Sequence, residues 1–322
     1  MSTIQESFVV KIPCSTANLG PGFDSIGMAL NRYLTLHFFP SDRFEITLSS
    51  DHADEQNIPL DHNNLIIRVM KKAFAERREP FPTFHLRIQN EIPLARGLGS
   101  SAAAIVGGYM AANQIMGNPW TIDDLFQRAT AWEGHPDNVG PSLFGGVTIG
   151  SWDGKMATVV PCDPPDVPIL AVIPEQVLFT KKARAILPSS YSRQEAVLAS
   201  SRANLLTAAL ITKQWDLLSI AMQDRFHQPY RQELVPGLKE SMAAAHQNGA
   251  WGVALSGAGP TLIAFVKELE PLKAYFRQLF TKWNIKIKMV VLKPIKEGAA
   301  VQLTAAEKCS TFVGNMIGVI NK

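Results

Sequence analysis

The order of apolar and polar positions divides the chain into short strands and helices. Residues 8–13 and 83–91 alternate as half-buried strands do, and 32–39 and 44–49 read as two more, joined through Pro40, Ser41 and Asp42. Leu65, Val69, Met70, Ala73 and Phe74 fall at helical spacing within 65–78. Residues 102–116 are an Ala-rich apolar run that predicts a buried helix, stopped by Gly117, Asn118 and Pro119. Thr121, with Asp123 and Asp124 in the turn after it, caps a second helix over 122–132. Segment 17–27 carries three glycines and a proline and predicts a loop with tight turns. Segment 51–64 is polar and loop-like, 133–141 is turn-rich and polar between hydrophobic runs, and 145–150 with 157–160 read as a hairpin.

Pro161, Cys162, Asp163, Pro164 and Pro165 are the best candidate linker, which predicts domains over 1–163 and 164–322. Beyond it come a strand at 167–173, a basic turn or short helix at 181–185, and helices at 193–211, 215–222 and 236–248, the last ending at Gly249. Strands at 251–256 and 261–266 flank Gly257, Ala258 and Gly259, and a helix (271–283) and a strand (285–292) follow. The order strand, helix, strand, strand, helix, strand predicts a ferredoxin-like second domain within an α+β protein. Residues 299–322 show no sharp period and carry no functional reading.

The stretch that organises the rest is Pro93-Leu94-Ala95-Arg96-Gly97-Leu98-Gly99-Ser100-Ser101-Ala102-Ala103-Ala104, between a strand and a buried helix. Gly97 and Gly99 allow a tight turn and a close approach to a ligand. Ser100 or Ser101 can cap the helix start. A free helix N-terminus presents unpaired N–H groups and the positive end of a dipole, which together make a phosphate cradle. The simpler alternative is a capped strand-to-helix connection. No Lys-Ser or Lys-Thr closes the stretch, so it is not a Walker loop.

Composition narrows the function classes. Of 322 residues, 46% are hydrophobic and 18% charged, an ordinary globular balance long enough for two modest domains. Thirty-one basic against 28 acidic side chains leave a net charge of +3, with no general attraction for nucleic acid. No apolar run is long enough to span a membrane, and the polar first seven residues hold no signal core. Cys14, Cys162 and Cys309 are far apart, show no metal spacing and fit a reducing compartment, so a soluble cytoplasmic protein is expected.

Three motifs carry a resemblance to a known family. They are Pro93 to Ala102 above, Pro13-Cys14-Ser15-Thr16-Ala17-Asn18-Leu19-Gly20-Pro21-Gly22-Phe23-Asp24 near the start, and Leu255-Ser256-Gly257-Ala258-Gly259-Pro260-Thr261 near the end. In content and order they resemble the GHMP kinases, and the first is most similar to the homoserine kinase branch. The resemblance implies a two-domain GHMP kinase fold: an N-terminal domain like the second domain of ribosomal protein S5, and a ferredoxin-like C-terminal domain. It implies ATP and Mg²⁺ as cofactors, L-homoserine as the small-molecule substrate, and a homodimer.

Residue roles follow from the same resemblance. Pro93, Leu94, Ala95, Arg96, Gly97, Leu98, Gly99, Ser100, Ser101, Ala102 and Ala103 match the ATP loop, and Ser101 with Glu133 matches the metal ligands. Asn18, Asp24, His135, Asn138, Thr180, Arg184 and Arg231 match substrate-contacting positions, with Asn138 and Arg231 as the catalytic pair. Two guanidinium groups suit a substrate carboxylate, and Asp24 suits its ammonium. Asn138 stands where other branches have an Asp, and Asn cannot take a proton as a base. Asp137 beside it reads either as a general base or as a turn residue bonding its own backbone. A kinase for another small alcohol and a non-catalytic ligand sensor remain as alternatives.

Overall fold

The computed structural model describes residues 3–49 and 58–304. Residues 51–57 of the expected 51–64 loop, Cys309 and the tail beyond 304 lie outside the described residues. The first layer is built on a long antiparallel hairpin, β1 (Phe8–Asn18) and β2 (Gly22–Phe39), with only residues 19–21 between its arms. The loop expected over 17–27 is therefore mostly strand. Gly22 sits opposite Asn18 in the ladder, and Gly27 lies where the Asp137 carbonyl presses on β2. Glycines inside a strand commonly mark such close approaches.

β3 (Glu45–Leu48) runs parallel to β4 (His85–Asn90), which pairs with the far half of β2, burying Leu34, Leu36 and Phe38. α1 (Leu65–Arg77) follows Asn64, whose side chain accepts from the Ile66 N–H as cap. α2 (Ser100–Ile115) lies on β1 and contacts α1 and α3 (Ile122–Glu133). α3 begins with the expected Thr121 cap, completed into a capping box by Asp124. The turn-rich reading of 133–141 is corrected: α4 (Pro136–Phe144) occupies it and lies on β1 and β2. β5 (Val147–Trp152) and β6 (Ala157–Cys162) make the expected hairpin, joined to the near half of β2.

β7 (Ile169–Pro174) is buried at every position. Its alternate residues serve two cores: Ile169, Ala171 and Ile173 join the core of the first layer, whereas Leu170 and Val172 face a second cluster with Leu255 and Phe276. Burial on both faces explains the unbroken apolar run. Helices α5 (Thr180–Ala185), α6 (Arg193–Thr212), α7 (Leu218–Ala221), α8 (Gln228–Arg231) and α9 (Leu238–Ala244) precede β8 (Ala250–Leu255) and β9 (Leu262–Val266). α10 (Leu269–Lys282) and β10 (Ile287–Leu292) complete a four-stranded antiparallel sheet ordered β10-β7-β9-β8, the ferredoxin-like order. The chain then returns: β11 (Ala300–Leu303), in the stretch that had no reading, pairs with β1 and makes the first sheet seven-stranded.

Candidate active site

A cleft of about 420 Å³ opens where the two layers meet, and it takes in all the expected site residues except Ala102 and Ala103, which are buried inside α2. One part of its wall is the glycine turn ahead of α2. Gly97 and Gly99 adopt φ of 79° and 71°, the left-handed region. The backbone there is also pressed from behind. A methyl at Gly97 would stand 2.1 Å from the Ser256 carbonyl oxygen, and one at Gly99 would stand 2.2 Å from Ser15 Oγ. The cap of α2 is Gly99, with no side-chain cap bond, which corrects the expected Ser100 or Ser101 cap. The first-turn N–H groups of α2 have no intrahelical acceptor and no capping side chain, and the positive end of its dipole faces the cleft.

One hydroxyl bonds this turn and a second stands behind it. Ser256 Oγ lies 2.6 Å from the Gly97 carbonyl oxygen and 2.8 Å from Thr16 Oγ1. Ser15 Oγ donates to Asn138 Oδ1 at 3.0 Å, which leaves Asn138 its amide N–H groups to offer a ligand. Arg96 lines the cleft, but it donates to the carbonyl oxygens of Pro174, Leu94 and Glu175, tying the turn to the end of β7. Sequence reasoning missed the supporting roles of Ser15 and Ser256, although both lie inside quoted motifs. Ser101 Oγ donates to Glu133 Oε2 at 3.2 Å, so two hard oxygen donors already stand together at the cradle's edge. Burial pushes the Glu133 carboxyl above its usual range.

The polar end of the cleft is dense in charge. Asp137 is buried, and its Oδ1 is bonded to His135 Nδ1. Burial pulls the imidazolium down, but the Asp137 carboxylate, reinforced by Glu133 and Asp24, overrides it and raises His135 to about 9. Opposite, Arg231 is 1% exposed. It donates through Nε to the Ala183 carbonyl at 3.1 Å and through one terminal nitrogen to the Gly257 carbonyl and to His227 Nδ1, both at 3.0 Å. Asn18 fixes the same corner, its amide donating to Gly257 O at 2.9 Å and accepting the Asp24 N–H at 3.0 Å.

Arg184 and Asp24 are joined to each other by two bonds, of 3.0 and 2.6 Å. Phe23 was not anticipated. Its ring stacks on His227 at 5.1 Å and faces the guanidinium carbons of Arg184 and Arg231 at 5.5 and 5.6 Å. Thr180 is exposed at the start of α5. Cys14 is fully buried and its thiol is pushed up to about 12, so it stays protonated and serves only packing.

A glycine cradle at a helix start, facing a corner of converging charges across a two-layer α+β cleft, is the arrangement of a small-molecule kinase. Comparison with known proteins agrees. The family model for the GHMP kinases N terminal domain matches residues 64–146 and that for the GHMP kinases C terminal matches 206–285. A homoserine kinase of Halalkalibacterium halodurans is 42% identical over 311 residues, covering 95% of this chain and 99% of the relative. A homoserine kinase of Deinococcus radiodurans is 45% identical, covering 82% of this chain and 86% of the relative. The crystal structure of homoserine kinase from Cytophaga hutchinsonii aligns with a TM-score of 0.80 at 28% identity, over 94% of this chain and 99% of the other. The mevalonate kinase of Methanococcus jannaschii, 15% identical, shares the fold with a TM-score of 0.65, over 89% of this chain and 98% of the other. The chain belongs to the GHMP kinase family and is an ATP-dependent small-molecule kinase. Among the described residues no helix is long and apolar enough to cross a membrane.

Proposed function

We infer that the cleft transfers the γ-phosphoryl group of ATP to the hydroxyl of L-homoserine, giving O-phospho-L-homoserine for threonine biosynthesis. The observation that carries this reading is the convergence of Asp24, Arg184 and Arg231 in one cleft with the glycine cradle. An alcohol bearing both a carboxylate and an ammonium matches that corner, and a sugar or a plain hydroxy acid does not.

The cradle N–H groups of the α2 start hold the phosphates. The apolar side chains of Leu34, Ile66 and Ile88, which also line the cleft, offer the adenine a surface. Ser101 and Glu133 are suited to Mg²⁺, which supplies neutralising charge to the phosphates when bound. Arg231 and Arg184 take the substrate carboxylate, and Asp24, steadied by Asn18, takes the ammonium. His135 and Thr180 complete the substrate wall.

Asp137 is committed to His135, so this reading gives it the task of holding the imidazolium in place. No general base is then required. The substrate oxygen bonds to the γ-phosphorus as the bond to the ADP oxygen breaks, and the hydroxyl proton leaves to a phosphoryl oxygen or to water. A loose phosphoryl-transfer transition state asks for positioning and charge more than for covalent help. Asn138 N–H groups and the cradle provide that. The cytoplasmic location expected from the sparse cysteines and the polar first residues, and the homodimer implied by the resemblance, belong to the same reading.

ADP release with MgATP, measured against L-homoserine, L-serine, mevalonate and galactose, tests the reading. Turnover with homoserine alone is expected. Turnover with another of these alcohols and not with homoserine overturns the substrate. ATP binding without turnover of any favours a ligand sensor.

A further inference from the structure

Asp24 and Arg184 both line the cleft, and each is about as far from full burial as the other, their side chains 33% and 37% exposed. They form a bidentate pair, Arg184 donating to both carboxylate oxygens. These are the two charges that the proposed function assigns to opposite poles of the substrate. While they are bonded to each other, the ammonium has no free partner and the carboxylate has Arg231 alone. We propose that this pair is an internal substitute for a zwitterion, and that the substrate binds by exchange: its carboxylate replaces Asp24 on Arg184 while its ammonium replaces Arg184 on Asp24. The inference rests on the reading of the cleft as a site for an amino-acid alcohol.

The surroundings identify which partner moves. Asp24 is fixed, with its backbone N–H on Asn18 Oδ1 in a left-handed turn of φ 54°. Arg184 stands on α5, a helix of six residues of which only Ala183 is buried. The approach to α5 is held at Leu178, whose N–H bonds the Ala95 carbonyl at 3.3 Å, while neighbouring Phe179 is 68% exposed. Arg231 is different, since its guanidinium is already anchored to two carbonyls and an imidazole. Arg184 therefore swings, and Asp24 and Arg231 stay.

Exchange has a consequence for specificity. A zwitterion opens one ion pair and closes two. A ligand with a single charge opens the same pair and closes one, stranding the other charge in a half-buried corner. Discrimination against singly charged alcohols then exceeds the loss of one contact.

The test uses 4-hydroxybutyrate, which keeps the hydroxyl and the carboxylate and lacks the ammonium. Asp24→Asn lowers kcat/KM for L-homoserine but raises it for 4-hydroxybutyrate, by about fivefold, the scale of a half-exposed ion pair. In an Arg184→Gln background there is no pair to open, and the same substitution gives no gain. No gain in the single variant overturns the exchange, and so does an equal gain in both backgrounds, which is plain charge repulsion. A ligand-free readout accompanies it. Hydrogen exchange at the amides of Lys182, Ala183 and Leu187, bonded to Phe179 and Arg184 carbonyls, accelerates in Asp24→Asn and no further in the double variant. Unchanged exchange in Asp24→Asn overturns the proposal. Homoserine turnover without the Arg184-dependent gain defeats the exchange alone, whereas no homoserine turnover by the wild-type protein defeats the substrate reading and the exchange with it.

Discussion

Arg231 donates a hydrogen bond to the Nδ1 of His227 at 3.0 Å, and both side chains are all but sealed from water. The other ring nitrogen, Nε2, donates to the Gly20 carbonyl at 2.9 Å, so the imidazole that holds Arg231 is the neutral one protonated on Nε2. A proton on Nδ1 would face the guanidinium. Burial depresses the His227 value below the usual 6.5, with Asp224 opposing and Arg231 reinforcing.

This sets a pH dependence. The unfolded chain takes up a proton as pH falls through 6.5, and the folded protein resists it. The stabilising contribution is complete above pH 6.5 and is lost progressively below it, by at most about 1.4 kcal/mol per pH unit. Asp224, Asp24 and Arg231 are the charged groups that act on the same ring. His227→Asn keeps an acceptor for Arg231 and removes the titration. In denaturant melts from pH 8 to 5 it starts less stable than the wild type but declines less steeply. Parallel declines would refute the assignment of the slope to His227.

Gly99→Ala asks a left-handed residue to carry a methyl that meets Ser15 Oγ at 2.2 Å and Asn138 Oδ1 at 3.0 Å. Backbone strain of this kind costs about 1–3 kcal/mol. The turn must shift, and the N–H groups it aims move with it. Calorimetric ATP affinity is expected to fall by at least about tenfold, a loss of about 1.4 kcal/mol, in a protein that still melts cooperatively. Unchanged affinity would remove the cradle from nucleotide binding.

Ser15 and Asn138 act as a unit under that turn. Ser15→Ala frees the amide of Asn138 to rotate, since Oδ1 loses its donor. The expected result is a drop in kcat of about tenfold, with KM for ATP nearly unchanged, because misplacement of a positioning group is costly. Asn138→Ala has the larger effect, and adding Ser15→Ala to it costs little more, since neighbours in one network are not additive. Strict additivity would show that Ser15 acts elsewhere.

The elements with strong periodicity were legible: α1, α3 with its Thr121 cap, β4, the β8–β9 pair and the ferredoxin-like order all follow from local pattern. α4 was not. Its Gly140 and Pro141 imitate a turn, and only tertiary packing keeps it helical, with β2 pressed against it at Gly27. β11 is a four-residue strand with little burial, so it has no hydrophobic period to read. In the site, the cradle and the Ser101–Glu133 contact could be anticipated from motifs. The Asp24–Arg184 pair spans 160 residues of sequence and leaves no local trace.

Phe23 shows the same limit, because nothing in its motif marks it as a support for cations. Its ring lies 5.5 Å from the Arg184 guanidinium, 5.6 Å from that of Arg231 and 5.1 Å from the His227 ring. Contacts of this type contribute about 0.5–2 kcal/mol according to their exposure. Phe23→Leu keeps much of the apolar bulk and removes the π face. Arg231 is held by three other acceptors, so Arg184, with only Asp24 besides among the described residues, feels the loss most. The expected result is a rise in homoserine KM of about three- to tenfold, equivalent to about 0.7–1.4 kcal/mol, with KM for ATP unchanged. Phe23→Tyr, which restores the face, should recover most of it. If Phe23→Leu raised both KM values equally, the ring would be packing the whole cleft and not placing the two arginines.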